Sequence, residues 1–338
     1  MESFDDVFVD CTSQGTKIPK EEYLDAGKHI VIDQGQNVVA GYTNREEGIY
    51  KDVPAIIFGD HTRIIKYVDE PFFLGADGVK LLKSKKSDAN YKYLYYALKN
   101  ARIPNTGYNR HFKWLKEVNI EYPDEKSQQE IVVVLDKLTK IIEEREQELL
   151  KLDELIKARF VEVFGTPYGN EKGFPMKTVD DVIEFTGGSQ PDKKYFEYEP
   201  SEDNIRLIQI RDYKTDNYIT YIPKSMAKRF CHADDIMIGR YGPPIFQILK
   251  GIEGSYNVAL MKATPKMGNK EYVRHFLMQD CLFDYLYGLS QRTAGQSGIE
   301  MPALKAYPFP YAPIELQNQF EKFVKQVDKS KVVALKAA

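Results

Sequence analysis

SQQEIVVVLDKLTKIIEEREQELLKLDELIKARFVEVFG, residues 127–165, carries both ends of one long helix in its own letters. Ser127 and Glu130 have the spacing of a capping box, in which the hydroxyl accepts from a free first-turn amide and the carboxylate reaches back to the cap. Gly165, with Pro167 behind it, is the matching stop. Between them Ile131, Leu135, Leu138, Ile142, Arg145, Leu149, Leu152, Ile156, Arg159 and Val163 follow at steps of four and three, a heptad seam broken by two arginines. Such a helix spans roughly 55 Å, and a single narrow apolar stripe calls for one partner helix rather than burial on all sides.

The helix divides a chain of 338 residues into two parts, each long enough for its own core. Residues 1–125 read as a mixed domain, with β-type runs at 30–32, 55–58 and 79–82 and a helix over 91–100. Residues 167–313 begin the same way again. Phe4-Asp5-Asp6-Val7 is answered by Val179-Asp180-Asp181-Val182, and Gly59-Asp60-His61-Thr62-Arg63 by Gly239-Arg240-Tyr241-Gly242. The helix beginning at Tyr91 is answered by one beginning at Tyr272, and Leu115-Lys116 with Gln128 by Leu304-Lys305 with Gln317. Four matches in order are the mark of a duplicated domain. Residues 314–338 form a second, shorter helix with Leu316, Phe320, Phe323 and Val327 at helical steps, the expected partner for the seam of 126–166. The expectation is therefore an α/β (α+β) protein: two similar domains joined by two long antiparallel helices in a coiled-coil spacer, related by a pseudo-twofold.

Three scattered cysteines without CxxC spacing indicate neither a disulfide framework nor a zinc site, and a reducing cytoplasm is expected. The N-terminus Met-Glu-Ser-Phe-Asp-Asp lacks the basic-then-apolar order of a leader, and no run approaches the roughly twenty apolar residues of a membrane span. A net charge of −3 argues against indiscriminate coating of nucleic acid. The charge is uneven, however: between Lys80 and Lys116 ten basic residues are opposed in sequence only by Asp88, while Glu143, Glu144, Glu146 and Glu148 gather on the long helix.

Catalytic motifs are missing from the sequence. There is no GxGxxG after a strand, no GxxxxGK[ST] and no HExxH, and Pro123-Asp124-Glu125-Lys126, which imitates a nuclease fragment, stands at a helix start where capping explains it. Polar, glycine-punctuated loops are the candidate binding elements. In the first half they offer Tyr42, Asn44 and Arg45, then His61 and Arg63, Lys85 in the basic run, and Tyr108, Asn109, Arg110 and Lys113. In the second they offer Ser189, Gln190, Arg211, Arg240, Tyr241, Arg292, Gln296 and Ser297. Arg, Asn, Gln and Ser are the side chains that pair with base edges and phosphates, although such residues equally make ordinary hydrogen-bonded turns.

Taken together these residues resemble the specificity subunits of type I restriction-modification systems, over nearly the whole chain. The resemblance is carried by Val31-Ile32-Asp33-Gln34-Gly35, Ala40-Gly41-Tyr42-Thr43-Asn44, Gly59-Asp60-His61-Thr62-Arg63, the Pro-to-helix junctions at 123–131 and 313–320, and the tail 325–331. It implies two target recognition domains, each reading one half of a bipartite double-stranded DNA site, with two methyltransferase subunits docked on the helices and restriction subunits in the same complex. It further implies no active site in this chain, within a holoenzyme that is a DNA adenine methyltransferase and ATP-dependent endonuclease. S-adenosylmethionine, ATP and magnesium would belong to partner subunits. The last helix, ending Ala334-Leu335-Lys336-Ala337-Ala338, is shorter than the family pattern. A coiled-coil structural adaptor with duplicated protein-binding domains is the alternative that the acidic total charge favours.

Overall fold

Ser3 caps the four-residue helix Phe4–Val7 and Thr178 caps Val179–Val182, each in a capping box closed by an aspartate three residues on, Asp6 and Asp181. The duplication read from the sequence thus begins at the level of single hydrogen bonds. The computed structural model describes residues 1–336 apart from 76–77, 108, 243 and 292–297. It divides into two units, Met1–Glu143 and Glu144–Ala338.

In the first unit a four-stranded antiparallel sheet runs in the order Phe8–Asp10, Val79–Ser84, Ala55–Gly59, Ile65–Val68. A second sheet sets His29–Ile32 between Gly41–Thr43, antiparallel, and Phe72–Leu74, parallel. The run Ala55-Ile56-Ile57-Phe58 has no polar alternation because both its faces are buried: Ile56 and Phe58 join Phe4, Tyr93, Leu94 and Leu98, while Ala55 and Ile57 join Ile30, Ile32, Phe72 and Leu74.

The second unit repeats the topology. Ile183–Gly187, Leu260–Pro265, Ile236–Gly239 and Gln247–Lys250 form its four-stranded sheet in that order. Asn204–Ile208 again lies between an antiparallel neighbour, Tyr221–Pro223, and a parallel one, Gly254–Tyr256, with Phe230–Cys231 added at the edge. Helix Tyr91–Lys99 corresponds to Lys270–Leu277. Their register is set by the capping asparagines Asn90 and Asn269, so Tyr272 matches Tyr93, two residues on from the Tyr91 that sequence comparison suggested. Tyr93 donates to the Glu121 carbonyl at 2.6 Å, and Tyr272 to that of Pro310. Gln128 and Gln317, both fully buried, each accept from the cap asparagine's N–H and donate to a carbonyl five residues back.

The long helix runs Glu125–Phe164 and the last helix Ile314–Lys336. The long helix is capped by Asp124, whose Oδ1 accepts from Ser127 N at 2.8 Å, and not by Ser127; Glu130 pairs instead with Lys126. The seam also differs from the heptad reading. In the second unit the buried positions are Ile156, Phe160 and Phe164, packed with Phe320, Val324 and Val327. Phe160 replaces Arg159 in the seam and Phe164 is more deeply buried than Val163, which packs half-buried against the same cluster, because a 3.6-residue helix drifts against a 3.5-residue pattern. Arg159 lies outside, paired with Glu162 at 2.8 Å over the Phe323 ring. Phe320 meets Phe160 at 5.4 Å between ring centroids while Lys331 reaches Asp153 at 2.6 Å, so the two helices are antiparallel there. In the first unit Val132 is the buried apolar residue of this helix, beside the buried Gln128, and Ile131, Leu138 and Ile142 stand 39%, 50% and 46% exposed.

Candidate nucleic-acid interface

Gly59 ends a core strand at a point where a β-carbon would meet Thr62 Oγ1 at 2.2 Å and Gln34 Cβ at 2.9 Å, so the turn that follows can close only on glycine. Thr62 donates to the Gln34 carbonyl, and the Gln34 side chain accepts from His61 N at 3.2 Å. The turn finishes on Arg63, held at φ +62°, with its N–H on the Gly59 carbonyl at 2.7 Å. A non-glycine residue in the left-handed region costs about 1 kcal/mol and persists where its surroundings over-determine it.

Asp60 is the clasp between this turn and a distant loop. Its carbonyl accepts His111 N–H at 2.8 Å and lies 3.0 Å from His111 Nδ1, and its carboxylate accepts Phe112 N–H at 2.8 Å. Arg63 therefore does not pair with Asp60. Its guanidinium donates to the Ile103 carbonyl at 3.2 Å and lines an open groove of about 540 Å³ with Tyr67, Tyr95, Lys92 and Lys99. Around this clasp Asn109, Arg110 and Lys113 are exposed, Asn109 folded back onto Thr106 and Lys113 lying over the Trp114 ring. Arg102 and Lys116, which the sequence reading counted in the basic run without singling out, flank the same loop. Tyr108 lies outside the described residues.

The other first-unit candidates serve the scaffold. Tyr42 exchanges backbone bonds with Leu24 and packs on the core cluster of Ile30. Asn44 accepts from Lys28 N, and Arg45 reaches Glu22 at 2.6 Å. Lys85 donates to the Asp5 carbonyl, a link whose counterpart in the second unit is Lys266 to Asp180. The basic run is far less one-sided in space than in sequence. Lys80 pairs with Asp10, Lys83 with Asp52, Lys86 with Glu2 and Lys92 with Asp136. Asp136 is held below the usual carboxylate range chiefly by its bond from Lys92. Among the described residues Arg102, Arg110, Lys113 and Lys116 have no such carboxylate partner. Lys66, pinned to the Asn37 carbonyl, is buried, and burial pushes its ammonium pKa down.

The topologically equivalent turn in the second unit follows Gly239. Arg240 sits there with its N–H on the Ala259 carbonyl and its guanidinium near the Val258 carbonyl, over the Tyr241 ring. Beside it Gly188 and Ser189 bond to the Leu260 and Tyr256 carbonyls, and Gln190 is exposed. Tyr241 makes a bridge to Gly298. Arg211 donates to Thr220 Oγ1 at 3.1 Å and its guanidinium stacks over the exposed Tyr218. Arg292, Gln296 and Ser297 fall outside the described residues. Among the described residues no group of three His, Cys, Asp or Glu is placed to hold a metal, and no helix is long and apolar enough to cross a membrane.

Residues 3–152 match the model of the type I restriction modification DNA specificity domain. The chain is 28% identical over 194 residues to the type I restriction enzyme EcoR124I/EcoR124II specificity subunit of Escherichia coli, covering 54% of this chain and 47% of that protein. It thus spans about half the length of that relative. The crystal structure of the type I restriction-modification S subunit from M. genitalium superposes with a TM-score of 0.55 at 17% identity, over 99% of this chain and 91% of that one. That likeness supports the fold: mixed helices and sheets with a long helix between two repeated units. Residues 3–152 are thus similar to the type I restriction modification DNA specificity domain, and the chain is similar to the specificity subunits that carry it.

Proposed function

We propose that this chain is the sequence-reading, non-catalytic subunit of a cytoplasmic DNA-modifying complex, each unit recognising one half of a split double-stranded site. The observation that carries the reading is an arginine after the equivalent strand in each unit, though not at the same position: Arg63 four residues past Gly59, and Arg240 directly after Gly239, where the first unit has Asp60. A forked guanidinium on a fixed turn is suited to a guanine edge or a phosphate. Methyltransferase and restriction subunits would supply the chemistry, together with S-adenosylmethionine, ATP and magnesium.

The test compares cognate and scrambled duplexes at two salt concentrations, after the cognate motif has been found by mapping modified adenines in the host genome. Arg63→Ala and Arg240→Ala should each weaken cognate binding about tenfold or more, since a bidentate base contact contributes about 1–3 kcal/mol of discrimination. Lys113→Ala should lower affinity for both duplexes and flatten the salt dependence. Lys85→Ala should lower the melting temperature and leave DNA binding unchanged, because its ammonium is engaged with the Asp5 carbonyl. Equal loss on both duplexes for the two arginine variants would remove them as base readers. The adaptor alternative draws on the neutralised lysines, and failure of the chain to bind any duplex in a salt-dependent way would favour it.

A further inference from the structure

Arg63 and Phe246 occupy one position of the repeat. Each stands two residues before an edge-strand isoleucine paired with the neighbouring core strand, Ile65 opposite Phe58 and Ile248 opposite Ile238. Both lie in the left-handed region, at φ +62° and +58°. Each unit therefore holds a non-glycine residue at a strained φ here, and the two use it differently. Phe246 is 3% exposed and belongs to the core cluster of Phe276 and Leu286. Arg63 instead lines the open groove between the strand Ile65–Val68 and the helix Tyr91–Lys99. The helix shows the same change of character. Counted from the capping asparagines, Lys92 and Lys99 stand where the second unit has Glu271 and Met278. Tyr95 stands where it has Arg274, which is buried with its guanidinium on the Asp234 carbonyl and beside Glu271. The same fold is thus built once without Arg63, Lys92 and Lys99, so packing does not require these cations.

The groove holds about 540 Å³, within the size range of small-ligand sites. Its aromatic part is Tyr67 and Tyr95, with ring centroids 6.4 Å apart and planes inclined at 56°. Lys92 lies over the first ring and Lys99 over the second. Lys92 is paired with Asp136 at 2.7 Å. Arg63 places one nitrogen on the Ile103 carbonyl and Lys99 donates to the Tyr95 hydroxyl at 3.3 Å, and among the described residues neither has a carboxylate partner. Three cations face one carboxylate, which leaves two positive charges in excess. Lys66 does not count among them, because its ammonium is buried on the Asn37 carbonyl.

We propose that this groove binds a nucleoside monophosphate, its phosphate held by Arg63 and Lys99 and its base laid against the Tyr67 and Tyr95 rings. A phosphate monoester carries about −1.5 to −2 charge near pH 7, which the two excess cations neutralise, whereas a backbone phosphodiester carries about −1. The Arg63 fork fits phosphate oxygens, and tyrosine faces stack on any base. The same chemistry is offered by a free nucleotide and by the 5′-phosphorylated end of a DNA strand. Arg63 is shared with the duplex reading proposed above, but the site does not depend on that reading, and for this reason the test turns on Lys99 and Tyr95.

The full chain is titrated calorimetrically with AMP, adenosine and inorganic phosphate. Saturable AMP binding is expected, about tenfold or more tighter than either fragment, and weakening as the pH falls through about 6, where the phosphate takes up a proton. Lys99→Met, which installs the side chain that the second unit tolerates at this place, should weaken AMP about tenfold or more with an unchanged melting temperature. Tyr95→Leu should do the same, while Lys51→Met, an exposed lysine outside the groove, should change nothing. Displacement of AMP by a 5′-phosphorylated single strand, and not by its 5′-hydroxyl form, would support a strand end as the source; absence of displacement would support a free nucleotide. The proposal is overturned by absence of saturable AMP binding, by AMP binding no tighter than phosphate, or by binding that survives Lys99→Met. Parallel loss of AMP and cognate duplex in Lys99→Met would overturn it in favour of the duplex backbone as the occupant.

Discussion

Phe160→Ala is the substitution that most directly examines how the long helix is held in the second unit. The ring is 1% exposed and contacts three others, Phe164 at 4.9 Å, Tyr272 at 5.7 Å and Phe320 at 5.4 Å. Truncating a buried phenylalanine costs about 3–5 kcal/mol through lost transfer energy and the cavity left behind, and the tilted and edge-on ring pairs place this site toward the upper end. For a unit of this size each kcal/mol lowers the melting temperature by about 2–4 °C, so a fall on the order of 10 °C is expected. Leu138, one of the residues that the heptad reading placed on the same seam, is half exposed, and Leu138→Ala should cost about 1 kcal/mol or less. Calorimetry on the full chain measures both, and it also reports whether the two units melt separately. If Phe160→Ala and Leu138→Ala lower the melting temperature equally, the antiparallel packing of the long and last helices described above is wrong.

Gln128→Leu and Gln317→Leu should each destabilise by about 2–3 kcal/mol, because each leaves a cap asparagine N–H and a carbonyl buried without partners; denaturant midpoints of the two variants check it. Burial, with Arg274 beside it, lowers the His275 pKa to about 4, while in the unfolded chain it titrates near 6.5. Between those values the unfolded state binds more protons. This contribution is therefore fully present above pH 6.5 and is lost as the pH falls toward 4, by up to about 3 kcal/mol. Melting curves of the parent should show that loss, and His275→Gln should reduce it. Arg63→Gly should melt above Arg63→Ala, by about 1 kcal/mol of relieved left-handed strain, while both variants lose cognate DNA equally, which separates the backbone of the turn from its guanidinium.

The features legible in the sequence are those whose partners are close along the chain. The long helix and the short repeated segments such as Phe4–Val7 and Val179–Val182 depend on bonds spanning a few residues, which is why the repeat could be followed through four matches, whereas the cap itself was misplaced at Ser127 when Asp124 supplies it. The strand run at Ala55 was legible as apolar, but not that its two faces serve two different cores. Seam coverage was not legible, because Ile131, Leu138 and Ile142 have the same spacing as Ile156, and only the tertiary neighbours differ. The basic run misled for the same reason: Lys80, Lys83 and Lys86 are neutralised by Asp10, Asp52 and Glu2, acids 31 residues away or more.

The candidate surface in the first unit is itself a product of long-range contacts, since Asp60 joins a turn at 59–63 to a loop 51 residues later. Reading loops singly gave Arg45, Arg63 and Arg110 equal standing, and the structure separates them physically. Arg45 is consumed by Glu22, Arg110 is free to reach a phosphate, and Arg63 is both pinned and incompletely used, with one nitrogen on Ile103 and the rest of its fork available. A side chain that must recognise one base pair among many has to be fixed before binding, because ordering it afterwards costs about 0.5–1.5 kcal/mol that the contact would otherwise contribute to affinity. Of the three, Arg63 alone meets that condition, and this is the reason for testing it before the exposed lysines and arginines around it.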